Sequence, residues 1–386
     1  MTFAPIFIAT TMREVGPSGV QTHFRELMHY LAEEGVPHHL VHSFSRAWWM
    51  VPAAGMRRII EPFNRAASVR WHVVTHGASL RVQLRRLLQD GSPAVVYAQC
   101  PLSAAAALSA RANASQRVIL AVHFNVSQAT EWVMRGLISQ GDPIWRHLVA
   151  TEQDVIPKLD GLVFVSEFMR EELSKRIPEV HRVSSQIIPN FVRTPPIPTA
   201  VPPPDYETDL VCVGSLEPRK NQAYLLDILS AAQSRGLPLS LTFIGDGACK
   251  ADLMARAAAS GIAPQVRFAG FVRDANRVLP RYRALVQVAR LENLPIVLIE
   301  AMSQGVPFFA TPVGGTPELF EDGKEGWAIP LDDADTAASI ITKVLRDKDL
   351  LARASVAARQ RFATKYDASI VALRLRRFLT DDARRD

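Results

Sequence analysis

Short, almost unbroken apolar runs recur along this chain, each closed by a glycine or a polar residue and followed by a helical pattern. In the first half they fall at Pro5 to Thr10, Val36 to His42, Ala94 to Ala98, Val118 to Val122 and Gly161 to Val165. In the second half they fall at Leu210 to Gly214, Leu239 to Gly245, Val266 to Ala269 and Leu285 to Ala289. Runs of this length that do not alternate with polar residues suit strands buried on both faces, which restricts the fold to parallel sheets covered by helices on either side. The loop TMREVGPSG and a helix from about Val20 to Ala32 complete the opening of a doubly wound α/β domain. Between the halves stand seven prolines, from Pro189 to Pro204. Such a segment can be neither helix nor central strand. The expected organisation is an N-terminal Rossmann-like domain over 1–190, a linker over 191–208, a second Rossmann-like domain over 209–362, and a C-terminal helix over 363–386 packing back toward the N-terminal domain. Open parallel sheets bind ligands at the carboxyl ends of their strands, so two of them are expected to face each other across one cleft.

A hydrophobic content of 48% and a charged content of 21% describe a globular chain rather than a disordered one. No apolar run approaches the ~20 residues of a membrane span. The N-terminal apolar stretch lacks a basic leader and is short for a signal peptide, so a cytoplasmic protein is expected, with Cys100, Cys212 and Cys249 as reduced thiols. The formal charge of +6 is concentrated locally: eight arginines lie between Arg46 and Arg86 against the single acid Glu61. They alternate with Trp48, Trp49, Met50, Val51, Met56, Ile59 and Ile60. Arginines interleaved with large apolar groups fit a contact with acceptor or with anionic lipid, for which Trp48, Trp49, Arg57 and Arg58 are the candidates. Pro52 and Gly55 interrupt helical periodicity there, so an irregular segment with a solvated basic face remains open. No nucleic-acid module accompanies the charge, and nucleic-acid binding is not expected.

The stretch RLENLPIVLIEAMSQGVPFFATPVGG, Arg290 to Gly315, carries the densest chemistry. Glu292 and Glu300 are separated by seven residues. Pro295 suits the first turn of a buried helix in which Ile296 to Met302 are almost wholly apolar. A helix N-terminus favours an anion, and flanking carboxylates accept hydrogen bonds from hydroxyls, so a sugar carrying phosphate accounts for both features. A core helix with one capping and one solvated glutamate remains the plainer alternative. Arg219 and Lys220 precede another helix, where cations are unhelpful unless an anion lies between them. Gly214, Gly245 and Gly270 close three strands, and bare backbone there admits a close-lying nucleoside. In the N-terminal half, Gly16 and Gly19 lie before the first helix, and His123 follows the apolar run Val118 to Val122 with Asn125 nearby.

The order GSLEPRKN, FIGDG, VRFAGFV and ENLPIVLIEAMSQGVPFFATPVGGTPEL resembles the donor-binding half of glycosyltransferase family 4, retaining enzymes of the GT-B fold. The N-terminal half is similar through GPSGVQTH, the His123 strand end and IIPN. This resemblance implies two Rossmann-like domains and transfer of a sugar from a nucleotide diphosphate donor, with UDP slightly favoured over GDP. It assigns His123, Lys220 and Glu292 to catalysis. It places the donor against Gly19, Ser215, Arg219, Lys220, Gly245, Gly270, Phe271, Val272, Glu292, Asn293, Leu294, Pro295, Ile296 and Glu300. Lys220 and the Gly19 backbone are thereby expected on the diphosphate, Glu292 on the donor-sugar hydroxyls, Glu300 on the ribose, and His123 beside the anomeric centre.

Three departures stand out: Ser215 where the family usually has arginine, Ser18-Gly19 for Gly-Gly, and ENLP for E-x-F-G. No metal and no other cofactor is expected, because cations and a helix N-terminus are aimed at the leaving phosphate and no DxD-like pair ends a strand. The expected acceptor is a lipid-linked or cell-surface glycan of polysaccharide biosynthesis, with peripheral contact at the inner face of an anionic membrane. A small soluble acceptor such as a sugar phosphate, a nucleotide-sugar epimerase and a non-catalytic nucleotide-binding protein are the alternatives.

Overall fold

The computed structural model describes residues 4–380, apart from 15, 17, 45–49, 125, 135 and 195–205 and from the side chains of 50, 51, 54 and 58. Trp48, Trp49, Asn125, the Arg58 side chain and most of the proline-rich segment therefore lie outside the described residues. The chain divides into two compact units, Met1–Pro189 with Val371–Asp386, and Asn190–Ile370.

In the first unit the elements run β1 (Ile6–Thr10), α1 (Gly19–Glu33), β2 (His38–His42), α2 (Met50–Ile60), α3 (Arg65–Leu88), β3 (Ala94–Ala98), α4 (Pro101–Ala110), β4 (Gln116–Val122), α5 (Gln128–Met134), α6 (Pro143–Val155), β5 (Gly161–Phe164), α7 (Glu167–Arg176) and β6 (Ser185–Ile187). The strands form one parallel sheet in the order β2-β1-β3-β4-β5-β6. Every residue of β1, β3 and β5 is buried, as the unbroken apolar runs predict. Contrary to the expected break at Pro52 and Gly55, Met50–Ile60 is a helix. Pro52 lies in its first turn, where a missing N–H costs no helical hydrogen bond.

The second unit contains β7 (Thr208–Val213), α8 (Gln222–Ser234), β8 (Leu241–Ile244), α9 (Lys250–Ala259), β9 (Val266–Gly270), β10 (Tyr282–Gln287), α10 (Ile296–Gln304), β11 (Phe308–Ala310), β12 (Gly326–Ala328), α11 (Ala334–Arg346) and α12 (Lys348–Lys365). Its sheet is again wholly parallel, in the order β12-β11-β10-β7-β8-β9. Two local expectations are corrected. The helix expected from Asn276 to Arg283 is a 3-10 turn over Ala275–Arg281, because Pro280 denies it an α-helical donor, and Arg283 belongs to β10. Pro295 is the N-cap of α10 rather than its first residue, with an extended backbone at φ −66°, ψ 112°.

Residues 190–194 run alongside the end of α12. The Val192 N–H donates to the Tyr366 carbonyl at 3.3 Å, and the Ala368 N–H donates to the Val192 carbonyl at 3.0 Å. The last helix, α13 (Ala368–Thr380), begins in the second unit and from Val371 belongs to the first. There its arginines and carbonyls hold β6, the start of β4 and the end of α1. Arg374 Nη2 donates to the Ile187 carbonyl at 3.1 Å, Arg117 Nη1 donates to the Leu379 carbonyl at 3.1 Å, and Arg376 pairs with Glu34 at 3.2 Å. Among the described residues no helix is long and apolar enough to cross a membrane.

Candidate active site

Strand order decides what can meet in each unit. In the second sheet, β7 lies between β10 and β8, so connections leave in opposite directions from β7 and β10. The crevice at such a reversal lies outside the carboxyl ends of the two strands. The loop after β7 carries Ser215 to Lys220, and the loop after β10 carries Arg290 to Pro295. Lys220 and Glu292, 72 positions apart in sequence, meet there: Lys220 Nζ donates to Glu292 Oε1. Arg219 Nη1 lies 3.4 Å from the same oxygen.

Glu292 is buried, and burial alone pushes its carboxyl up. Lys220, through its charge and its hydrogen bond, and the Arg219 charge outweigh burial and hold the carboxyl below its ordinary value. Arg219 is a tie rather than a free cation. Its Nη2 donates to Glu217 at 2.9 Å and its Nη1 to the Leu291 carbonyl at 3.1 Å, while its own carbonyl accepts from the Arg290 N–H at 3.1 Å. These bonds lock the two loops together and leave Lys220, the more exposed of the two side chains, to answer to Glu292.

The glycines make room. Gly245 has φ +139°, and a Cβ on it would lie 2.0 Å from the Gly214 carbonyl oxygen. Gly214 N–H donates to Ile244 O at 2.9 Å, and Gly245 N–H to Gly270 O at 2.7 Å, so the ends of β7, β8 and β9 are stitched backbone to backbone. Ser215, the family departure, is half-buried, and its carbonyl accepts from Gln222 Nε2 at 2.8 Å. Phe271 stands exposed beyond Gly270 with Val272 half-buried beside it. Gly314 and Gly315, at the end of the same stretch, support Glu292: a Cβ on Gly314 would strike the Glu292 carbonyl oxygen at 1.8 Å, and Gly315 N–H donates to that oxygen at 3.1 Å.

Asn293, Leu294 and Pro295 are buried and lead into α10, which starts at Ile296. With no capping side chain on Pro295, the first turn of α10 presents its N–H dipoles beside Lys220 and Glu292. Glu300 is half-buried on α10, a little more than one turn in. One positioning residue had a signal in the sequence motif IIPN: buried Asn190, whose Nδ2 donates to the Leu294 carbonyl at 2.8 Å.

In the first sheet the strand order reverses between β1 and β3. Gly19 opens α1 after β1, behind a capping box in which Ser18 Oγ accepts from the Gln21 N–H and the Gln21 side chain accepts from the Ser18 N–H. His123 follows β4, and its Nε2 lies 3.1 Å from Gln99 Oε1 after β3. Gln99 Nε2 donates to the Tyr97 carbonyl at 3.3 Å, which turns its oxygen toward the histidine and puts the proton on His123 Nε2. The His23 ring meets His123 edge-on at 4.6 Å between centroids, and His23 Nε2 lies 3.0 Å from the Tyr97 hydroxyl. Burial, then the neighbouring His23, holds His123 well below the ordinary histidine value, so it is neutral at pH 7. The bond to Gln99 fixes the ring of this neutral imidazole.

A second histidine cluster escaped the sequence reading. His72 and His76 on α3 lie 3.8 Å apart between centroids with their rings tilted by 37°, with Arg57 Nη1 3.5 Å from His72 Nδ1, Trp132 edge-on to His72 at 6.2 Å and Phe44 edge-on to His76 at 5.3 Å. Arg57 therefore turns toward α3 and Glu61. The i, i+4 spacing of the two histidines was the available signal.

Two family models match in tandem: Glycosyltransferase Family 4 over residues 17–194 and Glycosyl transferases group 1 over residues 196–361. The chain belongs to glycosyltransferase family 4. This family 4 chain is 27% identical, over 375 residues covering 88% of it and 92% of the relative, to the GDP-mannose-dependent alpha-(1-6)-phosphatidylinositol monomannoside mannosyltransferase of Mycobacterium tuberculosis. It is 26% identical, over 94% of itself and 92% of the relative, to the phosphatidyl-myo-inositol mannosyltransferase of Mycobacterium leprae. The structure of Anabaena HepE in complex with UDP and glucose superposes with a TM-score of 0.71 at 15% identity, covering 98% of this chain and all of that one. The fold is GT-B, and the protein is a glycosyltransferase.

Proposed function

We propose that this glycosyltransferase transfers a hexose, with retention of anomeric configuration and without a metal ion, from a nucleoside diphosphate donor to a lipid-linked acceptor. The observation that carries the reading is the meeting of Lys220 and Glu292 on the loops of adjacent strands β7 and β10, beside the uncapped N-terminus of α10. In the absence of donor, Glu292 neutralises Lys220. An incoming diphosphate takes over that role, which releases the carboxylate to accept hydrogen bonds from sugar hydroxyls. As the anomeric C–O bond breaks, its electron pair and negative charge pass to the β-phosphate. Lys220 and the α10 N–H groups stabilise that charge, and the phosphate oxygen receives the proton of the attacking hydroxyl on the same face. Removing one such preorganised donor typically costs ~10²- to 10³-fold in rate.

In this reading Glu300 holds the ribose, and Phe271 and the glycine-lined strand ends hold the base; on the first unit, Gly19 and His123 are the residues that the family resemblance assigns. For the donor, GDP-mannose is the better supported choice over UDP-sugars, because relatives aligned along nearly the whole chain include one named GDP-mannose-dependent and others named mannosyltransferases. The UDP-bound neighbours are only about 15% identical and speak to the fold alone. The preference for UDP drawn from the sequence has no support. The names of the same relatives favour a phosphoinositide-type lipid acceptor at a membrane surface over a small soluble one. The test is transfer of radiolabel from GDP-mannose or UDP-glucose into extractable lipid in the presence of EDTA.

A further inference from the structure

The 24-residue helix α3 is sharply two-faced. Val69, Val73, His76, Leu80 and Leu84 point inward. Ala67, Arg70, Trp71, Val74, Ala78, Arg81, Val82 and Arg85 are all exposed. At ~100° per residue these eight positions fall within about 120° of one another, so they form one continuous stripe along the helix. The stripe carries three arginines and no acid. Val74 is 60% exposed and Val82 45%.

At the corner where α2 turns into α3, Ile59 is 62% exposed and Phe63 88%, an unusual cost for groups of that size. Trp71 Nε1 donates to the Ala53 carbonyl at 2.9 Å, which pins α2 to α3 and makes the corner a fixed feature. Glu61, the one acid between Arg46 and Arg86, is occupied by Arg57 at 3.9 Å.

From these features we infer that the outer stripe of α3 and the Ile59/Phe63 corner dock the enzyme on an anionic lipid bilayer. Apolar groups rimmed by arginines, without acids, match a surface of acyl chains under negative headgroups. The inference rests on residues that the structure shows exposed; of the expected Trp48, Trp49, Arg57 and Arg58, Arg57 is half-buried and turned toward α3 and Glu61, and the other side chains lie outside the described residues. It extends the reading of the acceptor as lipid-linked, and it stands on the surface itself.

Each arginine near an anionic surface strengthens binding about fivefold, so the stripe's three together supply roughly 100-fold. The experiment is flotation of the full chain with vesicles of phosphatidylcholine alone or mixed with phosphatidylglycerol. Three variants are compared with wild type: Arg70→Ser/Arg81→Ser/Arg85→Ser, Phe63→Ser/Val74→Ser/Val82→Ser, and an Arg346→Ser/Arg353→Ser control on the second unit. The wild type and the control should float with phosphatidylglycerol vesicles only. The arginine variant should lose about 100-fold in affinity, and the apolar variant should dissociate at moderate salt. Wild type that fails to float, variants that float like wild type, a control that loses as much as the arginine variant, or binding of the stripe to RNA in place of vesicles would each overturn the inference. Transfer to a detergent-dispersed lipid acceptor separates the two readings: both surface variants should retain it, and wild type that floats yet makes no lipid product refutes the acceptor and leaves the docking face standing.

Discussion

Replacing Glu292 by glutamine removes one negative charge from a place where the protein has brought two cations together. Glu292 is only 7% exposed, and it holds Lys220 directly and Arg219 at 3.4 Å. Removing one member of a buried ion pair costs about 3–5 kcal/mol, because the partner is left uncompensated. Here Glu217 still engages Arg219 at 2.9 Å and Lys220 has some access to water, which argues for the lower end, about 3 kcal/mol. For a unit of the size of Asn190–Ile370 this is a fall of about 6–12 °C in the transition midpoint.

The pH dependence has a definite sign. The carboxyl is held below its ordinary value, so its stabilisation is complete above the unfolded pKa of about 4.3 and is lost as pH falls through the folded one. The gap between wild type and Glu292→Gln, followed by differential scanning calorimetry, should therefore close in acid. Pyrophosphate supplies the missing counter-charge, and at 100-fold saturation it returns about 2.7 kcal/mol. It should rescue the variant more than it stabilises the wild type, in which the carboxylate must first be displaced. A midpoint within 2 °C of wild type at pH 7, or equal stabilisation of both proteins by pyrophosphate, would refute the view that Glu292 stands in for the donor phosphate.

Burial holds His72 down to about 3, aided by His76 and Arg57, and His76 down to about 4, aided by Arg57, so the folded state refuses protons that the unfolded chain accepts below about 6.5. Stability should consequently fall between pH 6.5 and 4.5, and the His72→Phe/His76→Phe protein should lose about 3 to 5 kcal/mol less than wild type over that range in urea titrations. Parallel pH profiles would show that the pair is not the cause. At Gly245, alanine meets both an adverse φ of +139° and the Gly214 oxygen, so Gly245→Ala should cost about 1–3 kcal/mol of stability and weaken donor binding at least tenfold, roughly 1.4 kcal/mol. Unchanged calorimetric affinity would mean that the strand ends do not line the donor.

The fold was legible because buried parallel strands leave a local mark: Ala94–Ala98 begins and ends where the apolar run alone places it. Strands β6 and β12, three residues each, were too short to register against their surroundings. Most candidate donor residues were visible because glycine, lysine and glutamate at strand ends are rare enough to notice. Their geometry was not visible. That Lys220 reaches Glu292 depends on β7 pairing with β10, and that Arg219 is consumed in bracing the loops depends on Glu217 and the Leu291 carbonyl. The Tyr97–His23–His123–Gln99 array draws on α1 and the ends of two strands, so no single stretch announces it. The arginine-rich segment misled for a different reason. Pro52 and Gly55 are breakers in a helix interior, but Pro52 occupies a first turn, and the periodicity that matters begins after Asn64, which caps α3 by accepting from the Ala67 N–H.

Transfer itself is the most direct test. The wild type is incubated with radiolabelled GDP-mannose or UDP-glucose, a lipid extract and EDTA, beside Lys220→Ala, and the organic phase is counted. The account predicts label from GDP-mannose in an α-linked glycolipid, undiminished by EDTA and reduced ~10²- to 10³-fold in Lys220→Ala. Label that reaches lipid only when divalent metal is restored, or equally well with Lys220→Ala, would contradict a mechanism in which Lys220 and the α10 N-terminus carry the leaving phosphate.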